Sequence, residues 1–268
     1  MLARIPQARN TRDIDLLSRE ASIEDAVEEL ARLAGIDLGD HFYFTPMGTK
    51  EISTGEEQPY VEGVRVEFDV RIGVKHHPNL SVDLVVGPSA TQPFETREPA
   101  SRLELPRLRT VPYRLYAVVD QIADKVCAVL EVHASGPSSR ERDLVDLALL
   151  TLTETIDAAD LRNALSSEFA RRSMRTPERF TTPASWGARY RKDAAGIDLL
   201  ADYPDAAAAR DLVAKLIDPT FSQTDLTGTW CPQRLQWLDP RGREPHSSTL
   251  PETRRSSYPQ SPGPPSPA

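Results

Sequence analysis

The apolar residues of this chain change their period near its middle, and this change limits the folds that the chain can adopt. Between residues 64 and 86 they alternate with polar residues, in "VRVEFDVRIGV" (64–74) and in "LSVDLVV" (80–86), and this pattern is typical of strands. From residue 113 they recur at helical spacing, as Leu115, Val118, Val119, Ile122, Val126, Val129 and Leu130. The sequence therefore predicts an α+β protein, in which a Pro-, Arg- and Glu-rich loop from 87 to 110 separates a strand-rich half from a helical half.

Local signals predict where several elements begin and end. Ser22 and Asp25 have the spacing of a capping box, and Gly35 follows the apolar repeat, so we expect a helix between residues 22 and 35. Pro78 and Asn79 predict the turn between the two longer strands. We also expect a strand at 42–44 and a first long helix that ends before Gly136-Pro137. Three further helices are expected: one from about 139 to 155, one that contains Leu161, Leu165 and Phe169, and one from 206 to 217.

The composition excludes several classes of protein. A formal charge of -8 and a pI near 5.3 argue against a protein that coats nucleic acid with its whole surface. Cys127 and Cys231 have no zinc-binding spacing and fit a reducing compartment. Because no apolar run approaches the roughly 20 residues that span a bilayer, and the N-terminus lacks a signal peptide, we expect a cytoplasmic protein. The Pro- and Ser-rich tail, residues 240–268, is expected to be disordered.

Two carboxylates stand one residue apart near the N-terminus, in "TRDIDLL" (11–17). If this segment is a strand, Asp13 and Asp15 project from the same face and repel each other. A divalent cation such as magnesium would relieve that repulsion, because hard cations take carboxylate oxygens as ligands. The alternative is a surface turn in which one aspartate has a capping role, since so short a motif is common.

Asp83 is the natural third carboxylate, because a charge in the centre of the apolar run "LSVDLVV" is costly unless it is paired. Asp69 is its rival, but it shares a strand face with Glu67 and Arg71 and is more simply explained as part of a solvated surface. Two carboxylates from one strand and a third from a neighbouring strand could hold one or two magnesium ions. Such a site fits phosphoryl or nucleotidyl transfer.

The helical half carries a second group of charged residues. Lys125 lies beside the apolar face of the first long helix, and Asp143 and Asp146 share a face one helical turn apart on the next. The simpler interpretation is a solvated lysine, with the two aspartates paired to Arg140 and Arg142 on the helix surface.

A basic stretch between residues 171 and 192 suggests a partner with phosphates. Seven basic residues there face a single acid, Glu178, and aromatic residues lie between them, a composition suited to single-stranded RNA. The alternative is a solvated Arg-rich connection whose aromatic residues belong to the core, and the pair His76-His77 lacks further metal ligands. The candidate RNA-binding residues are Arg171, Arg172, Arg175, Arg179, Trp186, Arg189, Tyr190, Arg191 and Lys192.

Four of these segments occur in a characteristic order: "RNTRDIDL" (9–16), "VDL" (82–84), "ADK" (123–125) and "RERDLVDL" (140–147). Together they resemble the AbiEii/AbiGii nucleotidyltransferase toxins, a family that also includes the mycobacterial MenT toxins. The resemblance implies a polymerase-β-like nucleotidyltransferase core, a mixed sheet with flanking helices, followed by a helical region. The expected domains are a core at 1–110, a helical domain at 111–239 and the tail at 240–268.

The resemblance also implies roles for the site residues. Asp13, Asp15 and Asp83 would bind Mg²⁺, Lys125 and Arg140 would bind the nucleotide, and Lys125, Asp143 and Asp146 would be the catalytic group, with Arg142 in place of a more usual lysine. Such an enzyme would transfer nucleotides from a nucleoside triphosphate (NTP) to an RNA acceptor, for the MenT-like members the 3′ end of tRNA, under the control of a cognate antitoxin protein.

One family feature is not found where it is expected. The family places a Gly-Gly or Gly-Ser turn about a dozen residues before the paired aspartates, where small residues let backbone amides approach a triphosphate, but residues 1–12 contain neither glycine nor serine. Either the true start lies upstream of Met1, or the phosphate loop has been lost. The second case predicts a catalytically degenerate relative that acts as an RNA- or antitoxin-binding module.

Overall fold

A computed structural model of the chain describes residues 1, 3–6, 8–9, 13–52, 62–87, 90–100, 111–133, 136–223 and 225–239, with the backbone alone for Asp13 and Glu62. The predicted tail at 240–268 and much of the predicted loop at 87–110 lie outside these residues. The first half contains β1 (Asp13–Ser18), α1 (Ile23–Ala34), β2 (Phe42–Glu51), β3 (Glu62–Ile72), β4 (Lys75–Val86) and β5 (Glu95–Arg97). The second half contains β6 (Tyr113–Leu115), α2 (Val118–Leu130), β7 (Val132–His133), β8 (Gly136–Pro137), α3 (Glu141–Thr153), β9 (Ile156–Asp157), α4 (Ala158–Arg171), α5 (Ala188–Ala194), α6 (Ala206–Ser222), β10 (Thr229–Cys231) and β11 (Gln236–Leu238). The predicted α+β class is confirmed.

A four-stranded mixed sheet forms the first half, in the order β1-β4-β3-β2. β1 runs parallel to β4, whereas the β4-β3 and β3-β2 pairs are antiparallel. Alternation gives the sheet one apolar face, where Val66, Phe68 and Val82 are buried beneath α1. The opposite face is polar and carries the candidate metal ligands.

The helix predicted at 22–35 is confirmed as α1. The Ser22 side chain accepts a hydrogen bond of 3.1 Å from the backbone N–H of Asp25, and Gly35 follows the last helical residue. Ile23 and Ala26 point to the sheet and are buried against Leu84. The cap and the apolar stripe thus fix α1 on one face, which leaves the other face of the sheet open.

The turn predicted at Pro78-Asn79 is wrong. β3 and β4 are joined at Gly73-Val74, where Gly73 has a φ of 58° that favours glycine. Pro78 lies inside β4, at a break in the register where two residues of β4 face one residue of β3. A bulge tolerates proline because it needs no ladder hydrogen bond there.

The main hydrophobic core lies in the second half, where α2, α3, α4 and α6 pack together. Ile5 and Ala8, from the N-terminal segment, are buried in the same core. These two residues therefore pack with the helices of the second half.

Several elements escaped the sequence analysis. Tyr113, expected to begin the first long helix, lies in β6, and the helix starts at Val118. The hairpin of β10 and β11 places Trp230 and Trp237 edge to face in the main core, where the Trp230 indole N–H donates to the Thr151 carbonyl at 2.8 Å.

Among the described residues, no helix is long and apolar enough to cross a membrane.

Candidate functional site

The paired aspartates lie on the strand that borders Asp83. In the parallel pair β1-β4, Asp15 is the register partner of Asp83 and Asp13 is the partner of Ser81. Register partners on adjacent strands project from the same face at a strand spacing of about 4.8 Å. The backbone therefore brings Asp13, Asp15 and Asp83 to neighbouring positions on the polar face; the side chain of Asp13 lies outside the described residues.

Asp83 is paired with an arginine that the sequence analysis did not single out. Arg65 of β3 donates from Nε and Nη2 to the two carboxylate oxygens of Asp83 at 2.6 and 2.7 Å. The Asp83 side chain is only 18% exposed, so the predicted need for a counter-charge is met by Arg65. The signal in the sequence was the alternation of β3, which places Arg65 on the same face as Asp83 once the register is known.

Asp69 belongs to a different surface group, near the β3-β4 hairpin. It accepts a hydrogen bond of 2.9 Å from Arg71 and lies 3.1 Å from Nδ1 of His76. The Arg71 hydrogen bond is the main reason that the pKa of Asp69 lies below its usual value.

Among the side chains that the structure describes, no group of three or more His, Cys, Asp or Glu residues could hold a metal ion. His76 and His77 are therefore not part of such a group.

A second group of candidate residues, Lys125, Asp143 and Asp146, connects α2 and α3. The ammonium group of Lys125 on α2 donates to Asp143 at 2.6 Å and to Asp146 at 2.9 Å, both on α3. The Lys125 side chain is 13% exposed and that of Asp146 only 1%. The solvated lysine and the surface pairing with Arg140 and Arg142 are therefore not found: Arg140 is exposed, and Arg142 bonds Asp193 at 3.1 Å.

The charge of Lys125 is fixed by its surroundings. Burial alone would lower the pKa of Lys125, but the adjacent charges of Asp146 and Asp143 outweigh it and raise that pKa above its ordinary value. Lys125 is consequently a permanent cation at neutral pH. A group of this kind can bind phosphate oxygens, but it cannot accept a proton.

Arg9 completes this cluster. Its guanidinium donates to both carboxylate oxygens of Asp146, at 3.0 and 2.8 Å. Only four residues further along the chain, Asp13 begins β1, and four residues span at most about 14 Å. Asp13 therefore lies within about 14 Å of Arg9, the residue that binds Asp146 of the Lys125 cluster.

The basic stretch from 171 to 192 is divided between the interior and the surface. Arg172 is buried and bonds Asp124, Glu131 and Glu168 at 2.6 to 2.8 Å, while Arg171 bonds Glu168. Tyr190 is fully buried, so its ring is not available to stack on a base. Trp186 is half-buried, and its indole N–H donates to the Ser138 carbonyl. The exposed members are Arg175, Arg179, Arg189, Arg191 and Lys192, of which Arg189 pairs with Asp193.

The chain is similar to known nucleotidyltransferase toxins. The family model described as nucleotidyl transferase AbiEii toxin, type IV toxin–antitoxin system, matches residues 1–223. Among solved structures, the chain is similar to MenT4, a nucleotidyltransferase toxin from Mycobacterium tuberculosis H37Rv, with 20% sequence identity, 88% of this chain and 75% of that chain covered, and a TM-score of 0.45. No curated protein matches the chain.

Proposed function

The chain belongs to the AbiEii family of nucleotidyltransferase toxins from type IV toxin–antitoxin systems, and on that premise we propose that it is a magnesium-dependent enzyme that adds nucleotides from an NTP to RNA. The proposed acceptor is the 3′ end of tRNA, which would place the enzyme in the cytoplasm. A cognate antitoxin protein is the proposed regulator. Two observations carry this proposal: Asp15 and Asp83 are register partners on one polar face of the sheet, and the buried cation Lys125 is held by Asp143 and Asp146.

The aspartates fit a hard divalent cation. Asp15 and Asp83 are register partners on one polar face, Asp13 follows the same alternation, and the Asp83 carboxylate already binds a cation, the guanidinium of Arg65. We therefore propose Asp13, Asp15 and Asp83 as the metal ligands, since Mg²⁺ prefers carboxylate oxygens. When bound, the metal would activate the attacking hydroxyl of the acceptor and neutralise the charge of the leaving pyrophosphate.

Lys125 is the proposed phosphate-binding residue. Asp143 and Asp146 hold its ammonium group in one position, so no rearrangement is needed when negative charge develops on the transferred phosphate. Because its pKa is raised, Lys125 would act as a positive charge and leave proton transfer to other groups. Arg140 is exposed at the start of α3, near Asp143, and is a proposed second contact to the nucleotide.

The exposed part of the basic stretch is the proposed RNA surface. Arg175, Arg179, Arg191 and Lys192 are exposed and can reach a phosphate backbone. Arg172 and Tyr190 are excluded from this surface, since one is held by three buried or half-buried ion pairs and the other has no exposed ring.

The proposal is tested by incubating the protein with total tRNA, Mg²⁺ and each of the four labelled NTPs. The wild type is compared with an Asp13→Ala/Asp15→Ala variant and with Asp69→Asn, a control on the same sheet but in the hairpin group. Label on RNA with the wild type and the control, but not with the double variant, would support the proposal. If folded wild-type protein binds tRNA but transfers no label to it, the enzyme proposal would be wrong and the alternative, an RNA-binding module, would be favoured.

A further inference from the structure

Four charged residues form one row across the polar face of the sheet. Asp15 of β1 is the register partner of Asp83 of β4, Asp83 is the partner of Arg65 of β3, and Arg65 is the partner of Lys50 of β2. The two residues on β1 and β4 are acids, and the two on β3 and β2 are bases. Successive residues of the row are one strand spacing apart, about 4.8 Å.

Arg65 is placed to respond to whatever binds at Asp83. It contacts both oxygens of the Asp83 carboxylate, at 2.6 and 2.7 Å, yet its side chain is 40% exposed and can reach a ligand above the sheet. A planar guanidinium binds a carboxylate and a phosphate with the same two-pronged geometry. Lys50, next in the row, is more exposed and bonds Glu67 at 3.0 Å.

We propose that Arg65 is a positioning residue that exchanges partners during nucleotide binding. Without metal it neutralises Asp83, and with a divalent cation held by the aspartates its guanidinium would instead bind two non-bridging phosphate oxygens of the NTP. Arg65 thus weakens metal binding in the absence of nucleotide and strengthens triphosphate binding in the presence of metal. This inference depends on the metal site that we propose at Asp13, Asp15 and Asp83.

The first arm of the test measures metal binding without nucleotide. Binding of Mn²⁺ is followed by electron paramagnetic resonance for the wild type, Arg65→Ala and Arg65→Gln, with circular dichroism to verify the fold. Loss of a positive charge next to a ligand carboxylate is expected to tighten Mn²⁺ binding about tenfold. Lys50→Ala removes a charge from the same face, but from a more distant and exposed position, and is expected to change the affinity by less than about twofold.

The second arm measures a non-hydrolysable NTP analogue by calorimetry at saturating Mn²⁺. Arg65→Ala and Arg65→Gln are expected to bind the analogue about tenfold more weakly than the wild type, because each loses a charge-assisted bond to phosphate. Arg65→Lys should retain part of the affinity, since an ammonium group keeps the charge but loses the two-pronged geometry.

The outcomes separate this inference from the proposed function. If Asp15→Asn and Asp83→Asn abolish Mn²⁺ binding but the Arg65 variants bind Mn²⁺ more weakly than the wild type, Arg65 merely orients Asp83 and the exchange is wrong. Unchanged analogue affinity in the Arg65 variants would also overturn it. If folded wild type and both Arg65 variants fail to bind Mn²⁺, or the two asparagine variants bind it normally, the metal site itself is refuted, and the exchange with it. If the Arg65 variants bind Mn²⁺ and the wild type does not, the result would support the exchange.

Discussion

Arg9 and Asp146 are joined by two hydrogen bonds, of 3.0 and 2.8 Å, although 137 residues separate them in the sequence. The same Asp146 carboxylate accepts a bond from Lys125, so one buried acid binds cations from two other segments of the chain. This arrangement ties the N-terminal segment to α2 and α3 and sets how far β1 can lie from Lys125.

Asp146→Asn should lower the free energy of unfolding by about 3–5 kcal/mol, because the loss of a buried charge leaves its partners uncompensated. Asp143→Asn should cost about 1 kcal/mol or less, since Asp143 is more exposed and Lys125 keeps Asp146 as a partner. Urea unfolding followed by tryptophan fluorescence measures both values. Equal losses would show that burial does not distinguish the two aspartates.

Lys125→Ala should reduce nucleotidyl transfer about 100-fold or more, as expected when a fixed charge is removed from a developing anion. Lys125→Arg keeps the charge and should lose less. The matched control is Lys215→Ala, because Lys215 is an exposed lysine on another helix, α6, and should leave transfer unchanged. Transfer by folded Lys125→Ala at the wild-type rate would remove Lys125 from the proposed chemistry.

The stability that Lys125 provides should not vary across neutral pH. Its pKa in the folded state lies above the unfolded value because Asp146 and Asp143 outweigh the effect of burial. Such a group contributes fully below the unfolded pKa, about 10.4, and its contribution is lost only as the pH rises through the folded pKa. The difference in unfolding free energy between wild type and Lys125→Met should therefore be constant from about pH 7 to about pH 9.5. A decline within that interval would contradict a raised pKa.

Arg175→Ala/Arg179→Ala/Arg191→Ala should weaken tRNA binding and make the negative slope of log affinity against log salt shallower by about 2, because each phosphate contact to a single strand contributes about -0.7 to that slope. Filter binding between low and moderate salt provides the measurement. The control variant is Arg210→Ala/Lys215→Ala on α6, outside the basic stretch, which should leave the slope unchanged. An unaltered slope in the triple variant would mean that this stretch does not contact RNA.

Trp230→Ala should cost about 3–5 kcal/mol of stability, because it empties a fully buried position and leaves the Thr151 carbonyl without its indole donor. Leu199→Ala, at a position 41% exposed, should stay within about 0.5 kcal/mol of wild type. Thermal or urea unfolding distinguishes them. A small effect at Trp230 would mean that the hairpin of β10 and β11, which lies beyond the residues matched by the family model, is dispensable for the fold.

Much of the local structure follows from short-range patterns. Ser22, its apolar repeat and Gly35 specify α1 by local hydrogen bonds and periodicity, so the sequence is sufficient to predict that helix. The alternation of residues 64–74 and 80–86 likewise predicts β3 and β4. The turn at Pro78 was mispredicted because proline is compatible with a bulge as well as a turn, and only the register of the two strands distinguishes them.

Local patterns in the sequence are sufficient to predict the longer helices and strands and the charged residues that they carry, because periodicity and capping are properties of neighbouring residues. The partners of those charges are set by the folded chain: Arg65 pairs with Asp83, Arg9 and Lys125 pair with Asp146, and three acids pair with the buried Arg172. Burial and ion pairing depend on which distant segments pack together. A pattern confined to one strand or one helix carries no information about that packing.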